Sequence, residues 1–377
     1  MKKVDVLGNL VLGLYLSGAF LTMISDISRM ILALVGILAV LIIVKYMDLK
    51  DNITIVPYVL FQILSAFICT SYSNNMNISA IIYSIINLII VFLMFNIEIS
   101  VLTPWCLMAT YSIYFFMVWL SNRGAHASFI GYSENYISIV MLIVVCVYFI
   151  ACDENNKRPN IFFVIPGLIF SIWAGGRGGI LVFGILAIGM LVLDIFYNHL
   201  LGIQDMTWAR VIAIIMLLLL IGWVSGFLQY TINILMKMGL YDAPRMRIWG
   251  YYFGILRRKP LGILLGGEIQ SQPLLFNWVG KNLHNSFLNI QAKYGLAFAI
   301  VSIFFLIRTI FYYIKERKFY MLLIASAFCL RAFTDLVFCN FWGEIIFYYF
   351  VLYIFSSKTR NDSERKSIRR EADYGTI

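Results

Sequence analysis

Long runs of apolar residues without a single charge are the feature that most limits what this chain can fold into. Residues 30–44, 137–151 and 211–227 contain no Asp, Glu, Lys or Arg. A helix that crosses the hydrocarbon core of a bilayer needs about 20 mainly apolar residues. Since 62% of the 377 residues are hydrophobic and only 13% are charged, a soluble core cannot bury them all. The sequence therefore predicts an all-α integral membrane protein.

Apolar blocks between polar breaks predict about twelve transmembrane helices. Their centres are Leu14, Val35, Leu64, Leu88, Ala109, Val144, Pro166, Ile185, Met216, Ile300, Ala327 and Tyr348. No repeat and no flexible linker divides the chain. We therefore expect one membrane domain over residues 1–355 and a polar, cytoplasmic tail over residues 356–377.

The distribution of basic residues predicts that both termini are cytoplasmic, because most Lys and Arg then lie inside. One outward, periplasmic loop is the exception. Residues 231–285 carry seven basic residues against Asp242 and Glu268, and so supply half of the net charge of +10. A basic outward surface indicates an anionic partner. Binding of an anionic head group at the outer surface would explain this charge, and we expect no nucleic-acid partner.

This outward loop also contains helix signals. Asp242 can cap a helix, Pro244 suits a first turn, and Pro260 ends the pattern after three consecutive basic residues. We expect a short helix over residues 243–258. Arg245 and Trp249 are four residues apart and would share one face of it.

Six cysteines lie in or beside the apolar blocks, with no spacing typical of a disulfide framework or a metal site. They are Cys69, Cys106, Cys146, Cys152, Cys329 and Cys339. Small packing residues in membrane helices are the interpretation that we prefer. The outward acidic residues are too scattered to hold a metal ion, so the sequence predicts neither a metal nor a cofactor.

Three outward stretches together resemble a known family. They are an arginine in a glycine-rich turn (Trp173-Ala-Gly-Gly-Arg-Gly-Gly179), an Arg-x-x-x-Trp helix (Pro244-Arg-Met-Arg-Ile-Trp249), and a His-Asn pair (Leu283-His-Asn-Ser-Phe-Leu288). In order and spacing they are similar to motifs of the O-antigen polymerase and O-antigen ligase superfamily. The resemblance covers residues 170–296 by motif and the rest only by hydropathy and number of spans.

This resemblance implies a membrane glycosyltransferase of the bacterial inner membrane, with its active site at the periplasmic face. The donor and the acceptor would be glycans linked to undecaprenyl diphosphate, and a polymerase of repeat units is favoured over a ligase. A chain-length regulator would be a further partner. Breaking a sugar–diphosphate bond requires stabilisation of an anionic leaving group, for which the planar guanidinium of arginine is suited without a metal.

The resemblance also implies roles for individual residues. Arg177 and Arg245 would bind the diphosphate, with Arg247 as the second choice, and His284 would be the general base for the acceptor hydroxyl. Asn285 is expected to cap a helix that starts at Ser286. Other interpretations stay open: an arginine extending to the interface, a helix lying on anionic lipids, and a structural histidine.

Supporting roles are predicted for a further group of side chains. Trp249 and Asn285 would contact sugar or position the site. Arg331 and Asp335, four residues apart near the outer end of an apolar block, are expected to form a buried ion pair, with Glu344 at a similar depth.

Three other functions remain possible from the sequence. A ligase that moves glycan onto a lipid core would share the donor, motifs and mechanism. A flippase for lipid-linked oligosaccharide would also suit twelve spans, but we expect basic residues through its midplane and two similar halves. A structural membrane subunit would leave Arg177, Arg245 and His284 without an explanation.

Overall fold

The computed structural model describes residues 2–25, 30–47, 55–73, 78–130, 132–200, 243–266, 283–338 and 342–356. These ranges are helical and contain no strand. The helices are α1 (Lys3–Ile24), α2 (Met30–Tyr46), α3 (Val56–Ser73), α4 (Ile78–Asn96), α5 (Leu102–Leu120), α6 (Tyr136–Glu154), α7 (Ile165–Trp173), α8 (Arg177–Leu200), α9 (Ala243–Arg258), α10 (Leu261–Leu265), α11 (Ser286–Lys315), α12 (Phe319–Thr334) and α13 (Glu344–Leu352).

Five of these helices are long and apolar enough to cross a membrane: Lys3–Ile24, Leu102–Leu120, Tyr136–Glu154, Arg177–Ile195 and Ser286–Lys315. Within the described ranges, six shorter apolar helices lie where six more spans were predicted, and that they cross the membrane stays a prediction. The span predicted near Met216, parts of the outward loop and the tail after residue 356 lie outside the described residues. The architecture is that of an α-helical membrane protein.

Rows of apolar side chains on the outside of the bundle agree with this environment. On α2, Met30, Leu34, Leu41 and Val44 are each at least 60% exposed. A soluble protein rarely presents so large an apolar surface to water. Hydrocarbon is the solvent that makes such a surface stable.

The centre of the bundle is formed by α6 and α13. Every residue of α6 from Tyr136 to Cys152 is buried, and so is every residue of α13. A helix that is apolar on nearly all sides is stable in a protein core or in lipid, and the complete burial of these two helices places them among other helices. α13 is nine residues long, so it spans about 14 Å at a rise of 1.5 Å per residue.

The outward loop forms the predicted helix. α9 runs from Ala243 to Arg258, which confirms the bounds predicted from its proline and basic residues. Its buried side chains Ile248, Tyr252 and Leu256 follow a helical spacing and pack against Leu283 and Ala292. α9 therefore lies against the segment that leads into α11 and against the first turns of α11.

α11 is interrupted one third of the way along its length. Gly295 has φ 81° and ψ 170°, which is not helical. A Cβ atom at this position would lie 2.5 Å from the carbonyl oxygen of Leu264. Glycine is required here both for the positive φ and for the close approach of α10. The break separates a short first part of α11, residues 286–294, from a long second part.

A group of polar side chains is buried in the bundle around Glu344. Asn87 donates a hydrogen bond of 2.7 Å to a carboxylate oxygen of Glu344, and Ser84 donates one of 3.3 Å to the same oxygen. Further hydrogen bonds join Tyr15 to Asn87, and Gln62, Tyr294 and Tyr348 to Ser84. This Glu344 cluster connects α1, α3, α4, α11 and α13.

Candidate functional site

Asp335 is the centre of a group of charged side chains at one end of the bundle. One carboxylate oxygen lies 3.2 Å from the Arg331 guanidinium and 3.9 Å from that of Arg245. The other lies 3.3 Å from Nδ1 of His284. Three separate segments of the chain therefore meet at a single carboxylate that is 3% exposed.

Arg331 holds the buried side of this group. Its side chain is 2% exposed and donates to the carbonyl oxygen of Asn135 at 3.2 Å, to Ser138 Oγ at 3.3 Å and to Thr334 Oγ1 at 3.3 Å. Within the described residues, its Nε atom is buried and has no hydrogen-bond partner. A buried arginine with several fixed acceptors keeps one orientation, so it can hold Asp335 in place.

His284 is held in an unusual backbone conformation. Its φ is 45°, a left-handed value that is uncommon for residues other than glycine and is enriched at functional sites. The next residue, Asn285, accepts a hydrogen bond from Leu288 N at 3.0 Å. This confirms the prediction that Asn285 caps a helix beginning at Ser286.

The imidazole of His284 contacts Asp335 through Nδ1, at 3.3 Å. An ionised carboxylate only accepts hydrogen bonds, so Nδ1 of His284 carries a hydrogen and donates it to Asp335. A carboxylate that orients an imidazole in this way also stabilises its protonated form. The side chain is 27% exposed, so it is accessible from outside the bundle.

Arg245 and Trp249 reach the site from one face of α9, as their spacing predicts. The indole Nε1 of Trp249 donates a hydrogen bond of 2.9 Å to the carbonyl oxygen of Leu283, and its ring packs against Phe333. Arg245, one turn earlier, faces Asp335 and is 26% exposed. Trp249 therefore fixes α9 beside both His284 and the end of α12.

Arg177 is the first residue of α8 and follows a turn in which Gly175 has φ 65°. A Cβ atom at the next residue, Gly178, would lie 3.2 Å from both Arg331 Nη1 and Thr334 Oγ1. The N-terminus of α8 therefore lies beside Arg331. Arg177 is partly buried, and the prediction that it binds phosphate stays a prediction.

The loop after α12 is fixed to the start of α11. Ser286 Oγ donates to the carbonyl oxygen of Asp335 at 2.8 Å and accepts from Val337 N at 2.8 Å. The amide of Leu336 donates to the Asp335 carboxylate at 2.9 Å. Asp335 thus has a fixed backbone as well as fixed side-chain partners.

Charge and burial act in opposite directions on Asp335. Burial by itself raises the pKa of this carboxyl group, whereas the Arg331 guanidinium and then His284 lower it. The attraction of the cations prevails, and the pKa lies well below its usual range. Asp335 is therefore ionised at neutral pH and can hold two guanidinium groups and a histidine together.

The other predicted site residues are not all in this group. Arg247 is exposed on α9. Glu344 is 1% exposed and belongs to the Glu344 cluster. Asp335 was expected only as the partner of Arg331. Its contact with His284 joins residues 51 positions apart, and no local pattern in the sequence signals it.

The arrangement brings together the elements that an anionic substrate and a proton transfer require. Two guanidinium groups, one buried and fixed and one partly exposed, lie close to a histidine whose orientation is set by a carboxylate. The guanidinium of an arginine can bind phosphate oxygens through two N–H groups at once. An oriented imidazole can accept a proton. No family model matches this chain, and searches of curated proteins and of solved structures found no match.

Proposed function

We propose that this protein is a membrane glycosyltransferase that extends a glycan carried on undecaprenyl diphosphate, at the periplasmic face of the bacterial inner membrane. The observation that carries the proposal is the meeting of Arg245, His284 and Arg331 at Asp335. The three outward motifs of the sequence support it, because two of them contribute Arg245 and His284.

The proposed reaction is a displacement at the anomeric carbon of the donor glycan. The acceptor hydroxyl oxygen forms a bond to that carbon, and the bond from the carbon to the diphosphate oxygen breaks. The leaving diphosphate keeps the electron pair, and the hydroxyl proton passes to Nε2 of His284. Asp335 positions the imidazole, and its charge stabilises the imidazolium that results.

Arginine supplies the electrostatic stabilisation in this scheme. Arg245 is partly exposed and lies 3.9 Å from Asp335, a separation at which a phosphate oxygen can compete for its guanidinium. Arg331 remains bound to Asp335 and adds its positive charge from the buried side of the group. Fixed cations close to a developing dianion lower the energy of the transition state.

Reconstitution tests the proposal directly. Purified full-length protein in liposomes should lengthen a lipid-diphosphate-linked repeat unit, which gel separation of the glycans would detect. His284→Ala should lower the rate by about 10²–10⁴, the usual contribution of a general base. The control is His126→Ala, since His126 is exposed and is not part of the group around Asp335. An unchanged rate in His284→Ala would contradict the assignment.

A transporter of lipid-linked oligosaccharide is the second candidate, because one observation favours it. α11 is broken at Gly295, and Tyr294, the residue before the break, hydrogen-bonds within the Glu344 cluster. Interrupted helices beside buried ionisable groups are typical of transporter binding sites. Movement of the intact lipid-linked glycan across the liposome bilayer without elongation would support this function over the first.

Ligation onto a lipid core uses the same group of residues and differs only in the acceptor. A deletion strain distinguishes the two activities. Single repeat units on the core would indicate that a polymerase was lost. Lipid-linked polymer beside a bare core would indicate that a ligase was lost.

A further inference from the structure

The basic end of α9 is separate from the group around Asp335. Arg257 and Arg258 close the helix and Lys259 follows it, and all three residues are exposed. Residues 243–266 contain five basic residues and no acidic residue. An exposed cluster of positive charge next to apolar helices favours an anionic head group.

α9 sets the distance between this basic end and the group around Asp335. Arg257 is twelve residues after Arg245, so the two residues are about 18 Å apart along the helix axis, at a rise of 1.5 Å per residue. The helix is anchored along its length by Trp249, by Tyr252, which hydrogen-bonds to Gln291, and by Leu256. The two ends of α9 are therefore held at a fixed separation.

Apolar surface lies directly beside the basic end. On α10, Leu261 is 57% exposed and Leu264 is 58% exposed. α10 is held in place because Gln291 donates to the carbonyl oxygens of Gly262 and Ile263, at 3.0 and 2.8 Å. Positive charge followed by exposed leucine matches a ligand that has an anionic head and an apolar tail.

We propose that Arg257, Arg258 and Lys259 form a second binding site, which holds the diphosphate of the acceptor lipid. This inference rests on the proposed function, in which both substrates are polyprenyl diphosphates. The reacting hydroxyl of the acceptor is at the opposite end of its glycan from its own diphosphate. When that hydroxyl is at His284, the second diphosphate must lie about one repeat unit away, and α9 places the basic end at such a distance.

The experiment uses the full chain in nanodiscs of neutral phosphatidylcholine, with undecaprenyl diphosphate as the binding probe. The wild-type protein should bind two molecules per chain, and the double variant Arg257→Gln/Arg258→Gln should bind one. In the elongation assay the double variant should raise the KM for the acceptor about ten- to a hundredfold, because each lost charged hydrogen bond costs about a factor of ten. Its kcat should remain unchanged.

Lys157→Gln/Arg158→Gln is the matched control, because it removes an adjacent, exposed basic pair between α6 and α7. This control should bind two molecules. The proposal is overturned if the Arg257→Gln/Arg258→Gln variant also binds two, or if its acceptor KM equals that of the wild type. It is equally overturned if phosphatidylglycerol at the same mole fraction displaces the second molecule, since the site would then bind ordinary anionic phospholipid.

The two proposals fail in different ways. If His284→Ala abolishes elongation while the double variant behaves as the wild type, the second site is wrong and the glycosyltransferase stands. If the wild type binds two diphosphates and the double variant binds one, but no elongation occurs, the glycosyltransferase is wrong and the second diphosphate site stands.

Discussion

At the scale of single residues, Asp335 has the largest predicted effect on stability. Asp335→Asn keeps the shape of the side chain and leaves Arg331 buried without its carboxylate. We expect the free energy of unfolding to fall by about 3–5 kcal/mol, the cost of breaking a buried ion pair. Thermal unfolding in detergent would measure the loss.

Asp153→Asn is the control for this substitution. It removes an ion pair of 2.9 Å with Lys318, but both side chains are about one fifth exposed. A partly solvated pair contributes less, roughly 1 kcal/mol or below. Equal losses in the two variants would show that burial does not govern the energy of the Asp335 pair.

The low pKa of Asp335 also predicts how stability changes with pH. Because its pKa in the folded protein lies below the value of about 3.9 for an unfolded chain, the ionised form stabilises the fold. That stabilisation is complete above about pH 4 and is lost as the pH falls further. The unfolding temperature of the wild type should therefore fall more steeply below pH 4 than that of Asp335→Asn. Parallel curves would contradict this.

The backbone of His284 determines which substitution tests its chemistry most cleanly. Asn tolerates a left-handed conformation better than Ala does. His284→Asn should therefore unfold at a higher temperature than His284→Ala, while both lose elongation activity. Activity in the Asn variant close to that of the wild type would exclude His284 as the base.

Only part of the site could be predicted from local sequence. The Arg331–Asp335 pair follows from their spacing on one helix, and the Asn285 cap follows from residue type. The contacts of Asp335 with His284 and Arg245 could not be predicted, because they depend on how α9, α11 and α12 pack. The sequence pointed to Arg245 and His284 only because the motifs that contain them resemble those of a family.

At the scale of elements, close packing explains the glycines at the start of α8. A Cβ atom at Gly179 would overlap Ser138 Cβ, whereas one at Gly184 on the same helix would meet nothing within 4 Å. Gly179→Ala should lower the free energy of unfolding by about 1–3 kcal/mol through overpacking. Gly184→Ala should raise it by about 0.5–1 kcal/mol, because alanine favours helix. Thermal unfolding would compare the two variants. Stabilisation in both would contradict the close packing of Gly179 against Ser138.

Helix ends were easier to predict than helix interruptions. α9 has proline and charge signals at its ends, and its bounds were predicted correctly. The break at Gly295 is different, because a glycine inside an apolar stretch is also common in unbroken membrane helices. What requires a glycine there is the carbonyl oxygen of Leu264, which belongs to another helix.

At the scale of the whole molecule, the Glu344 cluster joins the first helices of the chain to the last. Asn87 bonds both Glu344 and Tyr15, so Asn87→Ala leaves buried polar groups without a partner. We expect a loss of about 1–3 kcal/mol in the free energy of unfolding. Asn96 on the same helix is half-buried and donates to the carbonyl oxygen of Phe92, so Asn96→Ala should cost less. A smaller effect at position 87 than at position 96 would argue against the cluster as a structural connection.

The fold class could be predicted from hydropathy alone, but the number of spans could not. Composition shows that the helices need an apolar solvent, and the structure confirms an all-helical chain over the described ranges. Short helices such as α7 and α13 are apolar without being long enough to cross a bilayer alone. Their place in the bundle depends on packing against neighbours, which hydropathy does not record.

The break in α11 separates the motion of the site from that of the membrane. His284 precedes the first part of this helix, and a membrane-spanning second part would adjust its tilt to bilayer thickness. Because the two parts meet at a non-helical residue, we expect the first part to stay in contact with α9 and α10 when the second part tilts. Elongation should therefore proceed at similar rates in thin and thick bilayers, made from short-chain and long-chain phosphatidylcholine.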